Sequence, residues 1–361
     1  MGEQIVSKRN YGIDALRMLS MFMVVLLHIL GKGGVLRSVN IFSGKYYIAW
    51  FMEIAAFCAV NCYALISGYV GINSRHRYAK IVSLWVQIIF YTLLITCCFT
   101  VFRPDTVDSA AWMRTIFPIT KSHYWYLSAY FGLFFMMPLL NAAVNNLSKK
   151  ELSRFLIAVL AVYGLIPNIL QNDPYAMSFG YSMIWLCILY VLGAFIKRYD
   201  VFSSVGKIKA LAIYSLCIMI TWGSKIVISR ITLNMGGEIK YSDTLVQYTS
   251  PTIVIAAIAL LIFFSKLKIK AEFVKKLISI FAPATLGVYI IHENFFIRNY
   301  CLYNGVKSFT NSHAIVMAIK VIATALLIYS VCSLVEIIRI KLFRLLRIDK
   351  LIARIDQIGQ K

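Results

Sequence analysis

The chain has 361 residues, of which 60% are hydrophobic and 14% charged, against roughly 45–50% apolar and about a quarter charged in a soluble domain. That composition excludes an ordinary soluble globular protein. Its 37 basic residues outnumber 15 acidic ones for a formal net charge of +22, which on a soluble chain would suggest nucleic acid; here the charges sit between long apolar runs, so membrane topology explains them first and no nucleic-acid partner is expected.

A helix needs about 20 mostly apolar residues to cross the hydrocarbon core. Such runs cover 12–31, 47–71, 80–102, 124–144, 153–171, 180–197, 208–228, 250–265, 278–298 and 314–336. The reading is an all-α polytopic membrane protein with about ten transmembrane helices. The eighth run is the weakest, cut short by Pro251 at one end and by Lys266, Lys268 and Lys270 at the other. Lys and Arg concentrate on the cytoplasmic side of membrane proteins. The N-terminus, 72–80, 145–154, 197–209, 266–277 and the segment after 338 together hold 24 of the 37 basic residues, and the alternate segments hold 11. That alternation fits an even number of crossings with both termini cytoplasmic.

Residues 1–338 are expected to form the membrane domain. In 339–361, Ile, Leu and Phe alternate with Lys, Arg and Asp at helical spacing, as in a basic amphipathic cytoplasmic tail lying on membrane lipids. The first run is span-length with no small-residue cleavage site, so it doubles as the targeting signal. The eight Cys show neither metal-ligand nor redox spacing and read as small core residues. No metal is expected.

Charged side chains inside a span are costly and mark functional sites or buried networks. The first run carries Asp14, Arg17 and His28. From 17 to 28 is 1,100° at 100° per residue, about 20° past three rotations and roughly 16 Å of rise, so the three share a face. Asp14 and Arg17 also fit a plain structural ion pair. The alternating topology puts Glu53 in the outer third of the second span, level with His292 and Glu293 near the end of the ninth. These four suit general-base chemistry in one outer cavity, and equally a proton relay or a structural network. On the inner side, Arg75, His76, Arg77 and Lys80 follow the second span closely. With Arg17 they suit the phosphates of a nucleotide-like molecule; ordinary positive-inside anchoring accounts for them as well.

Four blocks in order, RNYGIDALRMLSMFMVVLLHIL (9–30), LISGYVGINSRHRYAKIVSLWVQIIFY (65–91), HYWYLSAYFGLFFMMPLLN (123–141) and TLGVYIIHENFFIR (285–298), resemble the integral-membrane acyltransferase-three family of bacterial O-acyltransferases. The resemblance implies transfer of an acyl group, usually acetyl, from cytoplasmic acetyl-CoA to a hydroxyl of a cell-envelope or exported polysaccharide or its lipid-linked precursor. It implies a catalytic role for His28, with Glu53, His292 or Glu293 orienting it, and donor binding at Arg17, Asp14, Arg75 and Arg77. Asp14 stands where many relatives have Glu. Some members carry an appended extracytoplasmic hydrolase-like domain; none is expected in these 361 residues. The rival reading is a secondary transporter or flippase for glycolipid precursors, with the membrane charges as its proton pathway; no internal repeat supports it.

Of the remaining features, Tyr124, Trp125 and Tyr126 are expected to form an interfacial aromatic belt, with sugar stacking as the alternative. Ser67 and Gly68 should allow close helix approach or a bend, Lys320 should snorkel, and Glu336 should pair with Arg339. His123 and Asn141 sit in a family-like block without an evident role.

Overall fold

The computed structural model describes residues 9–121 and 123–358, so Lys8 and the last three residues of the tail lie outside the described residues. Those described form helices and connecting turns, with no strand among them. All ten apolar runs fall on helices, some of them interrupted. Eight are long and apolar enough to cross a membrane. The other two, Met183–Tyr199 and Pro251–Ser265, have 17 and 15 residues, or about 25 and 22 Å at 1.5 Å per residue.

Helix α1 (Tyr11–Gly31) is the axis of the bundle. The Asn10 side chain caps it by accepting from the amides of Gly12 at 2.9 Å and Ile13 at 3.2 Å, while its own amide donates to the Ser265 carbonyl at 3.1 Å. Leu16, Val25, Ile29 and Leu30 are fully buried, because α1 is packed on several sides rather than along one stripe. Its neighbours include α2 (Gly44–Ala56), α3 (Ala59–Gly71) and, further along the chain, the helices at 251–265, 285–292 and 314–345.

The second run is therefore not one helix but two, broken at Phe57 and Cys58. The chain then continues through α4 (Tyr78–Phe102), α5 (Trp125–Asn146), α6 (Lys149–Leu160, continued through a wide turn to Leu170), α7 (Met183–Tyr199), α8 (Lys207–Gly236) and α9 (Pro251–Ser265). The ninth run is broken too. Pro283 separates α10 (Glu272–Phe281) from α11 (Thr285–His292), and α11 stops at His292. Proline cannot supply the helical amide, which explains the first break.

Gly68 meets the expectation of close approach: a Cβ there would lie 1.8 Å from the Tyr190 carbonyl oxygen, and one on Gly193 would lie 2.1 Å from that of Leu65. Helices α3 and α7 thus touch backbone to backbone, as small residues permit. Large apolar side chains such as Val101, Phe102, Phe135 and Leu327 point outward, the arrangement of a bundle solvated by lipid.

The last long helix, α12 (Ala314–Leu345), runs straight through the expected domain boundary at 338. The tail follows as α13 (Ile348–Ala353) and α14 (Ile355–Ile358), folded back against α4. Glu336 is buried and ion-paired with Arg339 at 2.6 Å, and it also accepts from Gln87 at 3.0 Å and Tyr91 at 2.7 Å. That network ties α4 to α12. Four cysteines are buried as expected (Cys58, Cys62, Cys217 and Cys332), but Cys97, Cys98 and Cys301 are exposed because their faces of the bundle have no protein neighbour.

Candidate active site

His28 lies in the last turn of α1, and the break after His292 brings the end of α11 against it. His28 Nδ1 is 2.9 Å from His292 Nε2 and 3.2 Å from Glu293 Oε2. The other His292 nitrogen, Nδ1, is 2.6 Å from the Val288 carbonyl oxygen. A carbonyl can only accept, so Nδ1 of His292 carries the proton and its Nε2 offers a lone pair. His28 must then donate through Nδ1. Its Nε2 is left unprotonated, makes no hydrogen bond, and belongs to a side chain lining a cavity of about 490 Å³, within the usual range for small-ligand sites.

Glu293 is the charge centre of this cluster. Its side chain is 4% exposed, and Oε1 takes an ion pair from Lys32 and another from Arg298 at 3.0 Å. Lys32 follows His28 by four residues on the same face of α1. The ligating atoms of His28, His292 and Glu293 lie within 4.8 Å of one another, a spacing that a metal ion can use. In this cluster two side-chain cations already neutralise the carboxylate.

The block at 123–125 holds the end of α11 in place. The His123 Nε2 accepts from the Phe295 amide at 2.8 Å, and the Tyr124 hydroxyl donates to the Ile290 carbonyl at 2.9 Å while accepting from Asn294 at 3.2 Å. Burial first, and then Arg298, lowers the His123 pKa to about 4, so the ring is a neutral acceptor at physiological pH. Tyr124 is fully buried and so is no belt residue. Trp125 and Tyr126 line the His28 cavity.

Glu53 lines that cavity as well, but it makes no hydrogen bond or ion pair with His28, His292 or Glu293. Its Oε2 is buried without a partner. The sequence-based grouping of four is thus split: three residues interlock, and Glu53 stands apart among aromatic rings.

At the other end of α1, Asp14 accepts from Arg17 at 2.7 Å and from Arg9 at 2.6 Å. Arg17 lines a second cavity, of about 360 Å³, together with Arg75, Arg77 and Lys80. Asp14 lines a third with Arg9 and Arg17 but not the second. Tyr63, Tyr126 and Leu286 border both the first cavity and the second, and the Tyr63 hydroxyl donates to the Arg17 carbonyl at 2.9 Å. The two sites predicted from sequence are therefore adjoining chambers along one face of α1.

Arg77 is engaged by the tail. Its Nε donates to Asp356 at 2.8 Å, and the other oxygen of Asp356 accepts from the Ala79 amide at 3.0 Å, capping the start of α4. The Ala79 amide, followed by Arg77, holds the Asp356 carboxyl below its ordinary pKa. His76 stacks on Phe134 with ring centroids 4.3 Å apart, and Asn141 accepts from Tyr190 at 2.9 Å in the same chamber.

Sequence reasoning missed Lys32, Arg298 and Asp356. Lys32 had a readable signal in its i+4 spacing from His28; Arg298 and Asp356 reach their partners through turns that spacing does not reveal. A family model described as an acyltransferase domain matches residues 10–336, nearly the whole chain. No curated protein and no solved structure matches.

Proposed function

This chain belongs to the acyltransferase-three family of membrane acyltransferases, and from that premise we propose that it is an O-acetyltransferase. In this reading it uses acetyl-CoA as donor and a cell-envelope or exported polysaccharide, or its lipid-linked precursor, as acceptor. The protein would cross the bacterial cytoplasmic membrane ten times with both termini cytoplasmic, the Arg17 chamber opening inward and the His28 chamber outward. Family membership favours this enzyme over the transporter alternative.

The observation that carries the reading is the junction of the two chambers at Tyr63, Tyr126 and Leu286. A phosphorylated donor too polar to cross the bilayer can stay at the basic end, with Arg17, Arg75 and Arg77 against its phosphates. Its extended arm can then carry the thioester toward His28.

His28 Nε2, held as a free lone pair by the His292 relay, takes the proton of the acceptor hydroxyl as that oxygen attacks the thioester carbonyl. The C–O bond forms, the C–S bond breaks, and the departing thiolate recovers the proton from the imidazolium. Glu293, 3.2 Å from His28 Nδ1, stabilises the transient positive charge. Lys32 and Arg298 keep that carboxylate ionised and fixed.

Purified protein in nanodiscs, supplied with acetyl-CoA and candidate glycans, should release CoA in step with glycan acetylation. His28→Ala should lower kcat by about 10²–10⁴-fold. A folded variant with unchanged turnover removes His28 from the mechanism.

A further inference from the structure

The His28 chamber contains a second polar group that the transfer step does not use. Glu53 is 9% exposed, and Oε2 is buried with no hydrogen-bond partner. A carboxylate in apolar surroundings is costly unless a cation or donors satisfy it. Among the described residues, no cation of this region forms an ion pair with Glu53. Lys32 holds Glu293, and Arg37 lies over the Tyr303 ring at 5.1 Å. Lys225 holds Asp243 at 2.6 Å and Ser242 at 2.9 Å and sits 3.7 Å over the Trp50 ring.

Aromatic rings line the same chamber as the orphaned carboxylate. Phe57 follows Glu53 by one helical turn, with the break between α2 and α3 directly behind it. Ring centroids run in a chain, Phe57 to Tyr248 at 4.9 Å, Tyr248 to Tyr181 at 4.7 Å and Tyr181 to Trp125 at 4.6 Å. All four rings line the chamber that Glu53 lines. The negative faces of such rings attract cations, and desolvation strengthens the attraction. Without a cation the buried carboxyl would take up a proton, and a neutral hydroxyl could then bond to it; only a cation both supplies the counter-charge of the ionised group and gains from the ring faces.

We propose that Glu53, with Phe57, Trp125, Tyr181 and Tyr248, forms a subsite for an ammonium group, so that the acceptor is an amine-bearing glycan. The proposal rests on the acyl-transfer reading only for the identity of the molecule that enters the chamber. It also accounts for transfer to oxygen. An ammonium has no lone pair, so an amine held as a cation at Glu53 cannot attack the thioester, and a hydroxyl of the same molecule is the nucleophile left to meet His28.

The test is binding, measured apart from turnover. Methyl glucosaminide, methyl glucoside and methyl N-acetylglucosaminide are titrated calorimetrically into the full-length protein in nanodiscs, at a pH where the free amine is protonated. The glucosaminide should bind on the order of tenfold more tightly than either neutral sugar. Glu53→Gln should erase the difference and Glu53→Asp should keep part of it. Equal binding of the three sugars by wild-type protein overturns the proposal without needing any variant to fold; so does a preference that survives in Glu53→Gln. If the preference is present but no sugar is acetylated, the transferase reading fails and the subsite stands. If acetylation occurs without the preference, the subsite fails and the transferase reading stands.

Discussion

The two chambers along α1 treat their charges in opposite ways. In the His28 chamber, Glu293 is 4% exposed and is held through Oε1 by Lys32 and Arg298, and His28 itself is fixed by the His292 relay to Val288. Hardly a proton or a charge there is free to rearrange. At the opposite end Asp14 is also buried, at 9% of its side chain, between Arg17 and Arg9, but the Arg77–Asp356 pair reaches water through both groups, at 50% and 17%. The Arg77–Asp356 pair faces water and can be exchanged. A catalytic base gains from a fixed tautomer and a dry, preorganised field, whereas a dock for a soluble phosphorylated donor must release its ligand at each turnover.

This contrast predicts where damage is severe. Glu293→Gln leaves two cations facing a neutral amide in a buried site, and breaking a buried pair from one side costs about 3–5 kcal/mol. Asp356→Asn removes the carboxylate of the water-facing Arg77 pair, and such an exposed pair contributes little. Thermal unfolding in detergent should therefore show a large drop in Tm for the first and little for the second. Equal shifts would mean that the two ends hold their charges alike.

The next effect is kinetic. His292→Ala removes the acceptor that fixes His28 Nδ1 as the donor and exposes both ring nitrogens to either tautomer. We expect kcat to fall on the order of tenfold to a hundredfold, as when the orienting partner of a functional histidine is lost, with the KM for acetyl-CoA little changed. Arg75→Ala should do the reverse, raising that KM before touching kcat. A kcat loss for Arg75→Ala comparable to that of His292→Ala would put the basic residues in the chemistry rather than in the dock.

Much of this geometry was legible in the sequence because one helix carries it. The 100° count from Arg17 to His28 puts both chambers on one face of α1, and alternating topology brings His292 and Glu293 level with His28. What sequence reasoning could not resolve depends on breaks and turns. Topology alone places Glu53 in the same outer cavity. Its separation from the His28 cluster depends on side-chain directions set by where α2 stops at Ala56 and where α11 stops at His292. Tyr124 looked like an interfacial residue because hydropathy measures depth and not direction; its hydroxyl turns inward to Ile290. Lys225, a charge near the end of the 208–228 run, is buried over Trp50 and paired with Asp243 of the segment that follows the helix.

The smallest predicted effect tests whether the exposed pair really exchanges. Arg77 is the one proposed donor ligand already bonded to a carboxylate of the chain's own tail, so the tail and a donor phosphate would compete for the same guanidinium. Arg77→Ala should then raise the KM for acetyl-CoA less than Arg75→Ala does, and in an Asp356→Asn background its effect should grow toward that of Arg75→Ala. The coupling is read as a double-mutant cycle. Acid supplies a second handle, with a definite sign. The Ala79 amide and Arg77 hold the Asp356 carboxyl below its ordinary pKa, so the contact is at full strength above the unfolded carboxylate value of about 3.9. It weakens as pH falls through the lower folded value. Hydrogen exchange at the Ala79 amide, corrected for its intrinsic pH dependence, should lose protection over that acid range in wild-type protein and lack it throughout in Asp356→Ala, which has no side-chain acceptor. Protection that is the same in both proteins would mean that the tail does not cap α4, and the competition for Arg77 would lose its structural basis.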